Sequence, residues 1–214
     1  MKNKGVTAPL FYEEELYCRG VLHVGGIDEA GRGPLAGPVT ACAVILPQGL
    51  LIPGVNDSKA LSEKRRNALS HIIKESALYI GYGWASAEYI DKFRIIKSIN
   101  HVMETAIRNL KQPPDALLID GPKGLWQPAG VPSTFIIRGD SLSHSIAAAS
   151  ILAKVARDAY MLKMHEKYPM YGFNQHKGYG TKKHFENIKK YGPCPIHRKS
   201  YLKKYLHREG IYDG

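Results

Sequence analysis

Apolar and polar positions alternate along the chain in a way that predicts short strands interleaved with amphipathic helices. Near the N-terminus an acidic "YEEELY" reads as a short helix lying across the domain. From Val21 the chain becomes strand-like: "VLHVGGID", then a glycine-rich loop, then "PVTACAVILP", an apolar and β-branched run bounded by proline that predicts a buried strand. "LSEKRRNALSHIIKES" predicts a helix with Ser62 as N-cap and Leu69, Ile72 and Ile73 on one face. "ALYIGYGWAS" is the next strand. In "AEYIDKFRIIKSINHVMETAIRNL" the apolar residues Ile90, Phe93, Ile96, Ile99, Met103, Ile107 and Leu110 recur every three or four positions, as on one face of a long helix. Pro113 and Pro114 end it.

"DALLID" reads as a short buried strand ending in Asp120, with "GPKG" as the turn behind it. "STFIIRG" repeats the arrangement, a strand that delivers Asp140 to its exit. "SLSHSIAAASILAKVARDAYMLKMHEKY" is Ala-rich and periodic, a helix whose small side chains let it lie close to a sheet. The pattern is that of an α/β domain with carboxylates at its strand ends and no internal repeat. We divide it into an N-terminal extension over residues 1–20 that packs on the core, a core over 21–168, and a basic helical segment over 169–214 that closes over a ligand.

At 214 residues the chain suits one domain with a full core or a core with a small appendage, and 44% apolar against 23% charged residues argues against disorder. The longest apolar runs, "TACAVIL" and "IAAASILA", are far shorter than the roughly 20 residues a membrane span requires, and the N-terminus has no signal pattern. A cytoplasmic protein without membrane contact is expected. Cys18, Cys42 and Cys194 are odd in number and form no CxxC pair, which argues against a disulfide framework and a cysteine zinc site. The formal charge of +11 is uneven, with twelve basic and four acidic residues between 160 and 214. Such a surplus marks either a polyanion-binding surface or a solvated face.

Asp28, Glu29, Asp120 and Asp140 each stand where a β-run stops. One acid at such a place is ordinary turn chemistry. Four on neighbouring strands would converge, and their mutual repulsion calls for a cation. An all-carboxylate set suits Mg²⁺ or Mn²⁺, and two such ions about 3.5–4 Å apart stabilise both oxygens of an in-line phosphoryl displacement. In the loop Gly31-Arg32-Gly33 the glycines permit close backbone approach to a ligand and Arg32 adds a phosphate contact, although a plain tight turn would look the same. "GIDEAGRGPLAG" is neither a dinucleotide fingerprint nor a Walker A loop. His144, His176, His184 and His197 lack zinc-site spacing and read as polar surface or secondary nucleic-acid contacts. In "HKGYGT" Tyr179 stands between two glycines, free to stack on a base or sugar or else to close over the core. Lys154 and Asp158 form a helical i,i+4 pair.

The motifs "GIDEAGRGPLAGPV", "NDSKALSEKRR", "LLIDG", "GDSLSHSIAAASILAKVARD" and "YGFNQHKGYGTKKH" resemble, in order, those of the type 2 ribonucleases H, and within them ribonuclease HII. They span Gly26 to His184, about three quarters of the chain. The resemblance implies a ribonuclease H-like fold, a mixed five-stranded sheet flanked by helices with a C-terminal helical segment. It implies hydrolysis of the RNA strand of RNA–DNA hybrids, and cutting 5′ to single ribonucleotides in duplex DNA, leaving 5′-phosphate and 3′-hydroxyl ends. On the matching positions it implies that Asp28, Glu29, Asp120 and Asp140 bind the catalytic Mn²⁺ or Mg²⁺, two ions with substrate present. It further implies that Gly31, Arg32 and Gly33 sense the ribose 2′-hydroxyl, that Tyr179 stacks on the sugar at the junction, and that Lys59 of "DSKAL" contacts phosphate.

Ribonuclease HIII, which carries an extra N-terminal domain and a Glu as fourth acid, fits less well, because about 25 residues precede the first motif and the matching acid is Asp140. Two other readings stand beside the nuclease: a non-catalytic RNA–DNA binding module on the same fold, and a carboxylate-dependent nuclease of other specificity such as a DNA resolvase. The preferred metal, the preference for single ribonucleotides over long hybrid, and contact with a sliding clamp are left open by the sequence, and a monomer is the default.

Overall fold

The protein is described by a computed structural model over residues 6–122, 128 and 130–208, with side chains up to Lys203. Its elements in chain order are α1 (Phe11–Cys18), β1 (Val24–Ala30), β2 (Val39–Ile45), α2 (Glu63–Ser76), β3 (Tyr79–Ala85), α3 (Ala87–Arg108), β4 (Ala116–Asp120) and β5 (Ser133–Ile136). There follow α4 (Gly139–Leu142), α5 (His144–Lys167), a 3-10 turn at Pro169–Tyr171, α6 (Phe173–His176), α7 (Lys182–Tyr191) and α8 (Lys199–Arg208). The strands form one sheet in the order β3-β2-β1-β4-β5. β1 is the strand at which the sheet changes character, antiparallel to β2 and parallel to β4.

Both faces of the sheet are covered, which is why β2 is apolar at every position except Thr40. Side chains alternate along a strand, so Val39, Ala41, Ala43 and Ile45 join Ile90, Ile99, Val102 and Met103 of α3 in one cluster. Cys42 and Val44 face the other way, against Leu69 and Ile73 of α2 and the alanines of α5. Of the face expected on α2, Ile72 is exposed, because it falls outside the arc that meets the sheet. The Ala-rich stretch of α5 can lie on β1 because Gly26 has no side chain: a Cβ there would stand 2.2 Å from the Ser145 carbonyl carbon. Glu13 of α1 is fully buried and accepts from the Ser143 hydroxyl and the Ser145 N–H at the start of α5, which places a carboxylate at that helix's positive end.

Two elements differ from the expectation. The strand in "STFIIRG" stops at Ile136, and Asp140 sits on α4, a single helical turn, rather than at a strand exit. Arg138 turns the chain with a left-handed φ of 61° and frees the Gly139 N–H for the site. The long helix α3 is broken at Arg94, where φ is 68° and ψ is 162°. That region of conformational space is essentially reserved for glycine and costs on the order of 1–3 kcal/mol for other residues.

The chain after α5 packs through Tyr171, Phe173, Ile188 and Leu202 against Met161 of α5 and Ala36 of the β1–β2 loop. Helical turns follow Pro169, in line with the expected C-terminal helical segment. Of the "GPKG" turn, Lys123 and Gly124 lie outside the described residues, as do residues 1–5 and 209–214. Among the described residues no helix is long and apolar enough to cross a membrane.

Candidate active site

β1 and β4 are parallel neighbours with Ile27 opposite Ile119, so the next residue on each, Asp28 and Asp120, come side by side at the strand ends. Asp28 is 4% exposed. It receives the Glu29 N–H at 2.7 Å and a hydrogen bond from the Ser150 side chain of α5. Burial first, then the charges of Glu29 and Asp120, push its carboxyl well above the ordinary range. Glu29 points to the opposite face of the sheet, where it lines a cleft with Asp120, Arg32, Ile96 and Asn100. Burial and then Asp120 raise its pKa, while Arg32 and Lys59 pull it down. Asp120 Oδ1 accepts the Gly139 N–H at 2.6 Å, which draws α4 and with it Asp140 toward the end of β4. Asp140 is 7% exposed and also raised, by burial and then by Asp57 and Asp120.

Asp120 thus lies within electrostatic reach of each of the other three expected acids, Asp28, Glu29 and Asp140. Their donor set is oxygen only, and burial with neighbouring charge disfavours ionising Asp28, Glu29 and Asp140 without a cation, so a hard divalent ion such as Mg²⁺ or Mn²⁺ fits. Among the described residues no three His, Cys, Asp or Glu side chains stand close enough together to hold a metal ion by themselves.

Lys59 stands 3.5 Å from Asp140 Oδ2 with its side chain largely exposed. Partial burial lowers its pKa, yet Asp28, Asp140 and Asp57 more than offset this and hold it above the usual lysine value. Several residues that the sequence did not single out individually also meet here. Asp57 accepts the Lys59 N–H at 2.8 Å and hydrogen-bonds the Asp140 side chain, adding a fifth acid. Ser58 and Ser150 are 2.9 Å apart at their hydroxyls, backing Asp28. Arg66 donates to the carbonyls of Ser58 and Leu61 and so fixes the backbone around Lys59. The Lys154–Asp158 pair forms at 2.6 Å as expected, with Arg66 as a third member at 3.8 Å.

Gly31, Arg32 and Gly33 leave β1 directly after the acids. Gly31 has φ 97°, and a Cβ on it would stand 2.3 Å from Arg157 Nε, so only glycine fits. Arg32 is exposed and shares the cleft with Glu29 and Asp120. A Cβ on Gly33 would lie 4.0 Å from Tyr179 Cε1, so the loop and the tyrosine are neighbours. The Tyr179 ring is 44% exposed, with the Arg157 guanidinium 5.9 Å from its centroid. It does not close over the core.

Two fully buried arginines hold this arrangement. Arg157 of α5 donates to the carbonyls of Pro38, Lys177 and Ala36 at 3.0 to 3.1 Å. Arg198 donates to Gly37, Arg32 and Gly31 at 3.0, 3.0 and 2.6 Å. Neither forms a salt bridge among the described residues; both use the guanidinium fork to splice backbone segments. The Tyr201 hydroxyl also donates to the Arg32 carbonyl, at 3.0 Å.

Three of the four histidines correct the expectation of a polar surface, while His176 is half-buried. His144, His184 and His197 are buried, since each ring is taken up by backbone or by another ring. His144 Nε2 accepts the Ile52 N–H at 3.0 Å. His184 and His197 face each other at 3.1 Å between their Nε2 atoms, and His184 Nδ1 bonds the Tyr179 carbonyl at 2.9 Å. Burial pulls their pKa values down to about 3 and about 4.

Comparison with known proteins agrees with this geometry. The family model described as Ribonuclease HII matches residues 25–204. A ribonuclease HII of Acetivibrio thermocellus is 51% identical over 91% of this chain and 75% of its own length. That of Caldanaerobacter subterraneus is 48% identical over 95% of this chain and 83% of its own. The crystal structure of ribonuclease H2 from Pyrococcus horikoshii shares the fold with a TM-score of 0.74 at 23% identity, covering 90% of this chain and all of that one. A binding-only module and a DNA resolvase are thereby set aside. The chain belongs to the ribonuclease HII family and is a ribonuclease H, an endoribonuclease acting on RNA–DNA hybrids.

Proposed function

We propose that the protein cuts the RNA strand of hybrids and also cuts 5′ to single ribonucleotides embedded in duplex DNA, leaving 5′-phosphate and 3′-hydroxyl ends, by two-metal-ion catalysis. Divalent ions held by Asp28, Glu29, Asp120 and Asp140 would supply Lewis acidity at the scissile phosphate and a nucleophilic water. The chain's own part is positioning. Ser150 and the Glu29 N–H orient the Asp28 carboxylate, and the Gly139 N–H orients Asp120. Lys59, kept protonated by the acids around it, binds a phosphate beside Asp140.

Discrimination falls to Gly31, Arg32 and Gly33, which approach the 2′-hydroxyl of the ribose, and to Tyr179, which stacks on the sugar at the junction. The observation that carries this reading is the 4.0 Å approach of the Gly33 position to the Tyr179 ring, on a loop that leaves β1 immediately after the two acids. A ribose held there lies next to the bond to be cut, so a missing 2′-hydroxyl weakens binding and alignment together.

The test is cleavage of an end-labelled DNA duplex carrying one ribonucleotide, with Mg²⁺, with Mn²⁺ and with chelator, beside an all-DNA duplex and the Arg32→Ala variant. A metal-dependent cut 5′ of the ribonucleotide, weakened in the variant and absent from all-DNA duplex, is expected. Equal cutting of the all-DNA duplex, or cutting under chelation, would overturn the reading.

A further inference from the structure

Arg94 interrupts α3 in a backbone conformation that suits glycine, and the break is held on both sides. Before it, Asp91 accepts the N–H groups of Lys199 and Ser200 at 2.8 and 2.9 Å and the Ser200 hydroxyl at 2.5 Å, tying the first turns of α3 to the start of α8. After it, Ile99, Val102, Met103 and Ala106 pack on the sheet. The Arg94 carbonyl accepts the Ser98 hydroxyl at 2.8 Å, so the bend is a bonded geometry rather than a frayed turn.

The side chain gains nothing from this within the fold. It is exposed and makes no ion pair or hydrogen bond among the described residues. Strain of this kind persists where it serves a site. The cleft that Arg94 lines is shared with Leu35, Ile95, Ser200 and Tyr201. Tyr201 bonds the Arg32 carbonyl, and the Leu35 N–H bonds the Gly178 carbonyl at 2.8 Å, next to Tyr179. One turn further along, Ile96, Ile99 and Asn100 line the cleft that holds Glu29, Arg32 and Asp120. This stretch of α3 thus runs as a wall from the acids to the C-terminal segment, with Arg94 as the cation at its far end.

We propose that Arg94 binds a backbone phosphate of the bound duplex, away from the scissile one, and that its strained conformation aims the guanidinium there. A helical φ at this position would straighten α3 and turn the side chain off the rim. A guanidinium presents a planar fork to phosphate oxygens, and an exposed one with no ion pair among the described residues can do so. The assignment rests on the proposed reading in which hybrid duplex lies across the Gly31–Gly33 loop and Tyr179.

The experiment measures binding of a labelled RNA–DNA hybrid by anisotropy across a salt series, using the full chain carrying Asp120→Asn so that substrate is not consumed, with Arg94 intact or changed to Gly or Gln. Arg94→Gly is expected to melt at a higher temperature than the parent, because strain is relieved, yet to bind about three- to tenfold more weakly. Its plot of log affinity against log salt should be shallower by about one unit, the signature of one lost phosphate contact. Arg94→Gln keeps the strain and loses the charge, so it should show the same slope change without the gain in melting temperature. Affinity and slope unchanged in Arg94→Gln would overturn the assignment alone. A parent chain that does not bind hybrid would overturn the proposed function and the assignment together.

Discussion

Arg198 donates its two terminal guanidinium nitrogens to the carbonyls of Arg32 and Gly31, at 3.0 and 2.6 Å, so the loop after β1 is held from a point more than 160 residues away in sequence. Burial pulls its pKa down, to about 10, and it remains charged at neutral pH. Lysine keeps the charge but has no planar fork. Arg198→Lys is expected to lower stability by about 3 kcal/mol, the scale of two lost charge-assisted hydrogen bonds. It should also cut activity on a single embedded ribonucleotide more than on long hybrid. Urea unfolding and the ratio of the two cleavage rates check this; an unchanged ratio would mean that the loop keeps its shape without Arg198.

Asp120→Asn separates charge from architecture. The Gly139 N–H needs only an oxygen to bond, and the asparagine amide offers one in the same place. Cleavage should fall by roughly 10³-fold, the scale of losing one electrostatic stabiliser of the reaction. Unfolding free energy should change by less than about 1 kcal/mol. A variant that cuts at the parental rate would remove Asp120 from the chemistry.

The acid cluster also predicts how metal and pH act on stability. Asp28, Glu29 and Asp140 have raised pKa values, by burial first and neighbouring charge second. A raised folded-state value favours the fold below the ordinary carboxyl pKa of about 4, and that contribution is lost as pH rises through the folded values. At neutral pH the metal-free cluster therefore opposes folding, and a divalent ion relieves it. Millimolar Mg²⁺ or Mn²⁺ should raise the melting temperature by a few degrees at pH 7.5 and by little at pH 4.5, reversibly with chelator. Scanning calorimetry of the chain and of Asp28→Asn, which should lose the metal increment, is the check.

The buried histidines run the other way. His184 and His197 have folded values of about 3 and about 4, below the ordinary 6.5. The stability they confer as neutral rings is fully present above about pH 6.5 and is lost as pH falls toward 4. The melting-temperature advantage of the parent chain over His197→Gln should therefore shrink steadily between pH 6.5 and 4.5. Comparing the two chains cancels the carboxylates they share. In NMR titrations the two ring resonances should stay flat from pH 8 to about 5.

Much of this was legible in the sequence because its cause is local. The almost wholly apolar run of β2 follows from a sheet covered on both faces, and the three-and-four spacing of α3 from a helix packed on one side. What escaped depends on partners far along the chain. Arg198 counted as one more positive charge in a basic tail and Arg157 as one residue of a helical motif, although both are buried and spend their donors on carbonyls. His184 and His197 read as surface because nothing near them announces that they pair. Asp57 stands in the motif around Lys59, but nothing local shows that it hydrogen-bonds Asp140. The helical turn that carries Asp140 and the break at Arg94 left no trace, since a non-glycine residue at positive φ has no local signature.

β1 is hydrogen-bonded to β2 on one side and β4 on the other, with α5 laid across it where Gly26 lets the helix approach. Asp28 cannot leave its place unless that strand parts from the sheet and the helix lifts away together. The backbone that presents the acids thus belongs to the last part of the molecule to open, and its amides should exchange with solvent at the rate of global unfolding. A chain that has lost this geometry has lost its fold as well, so heat or denaturant should abolish activity and cooperative structure at the same midpoint.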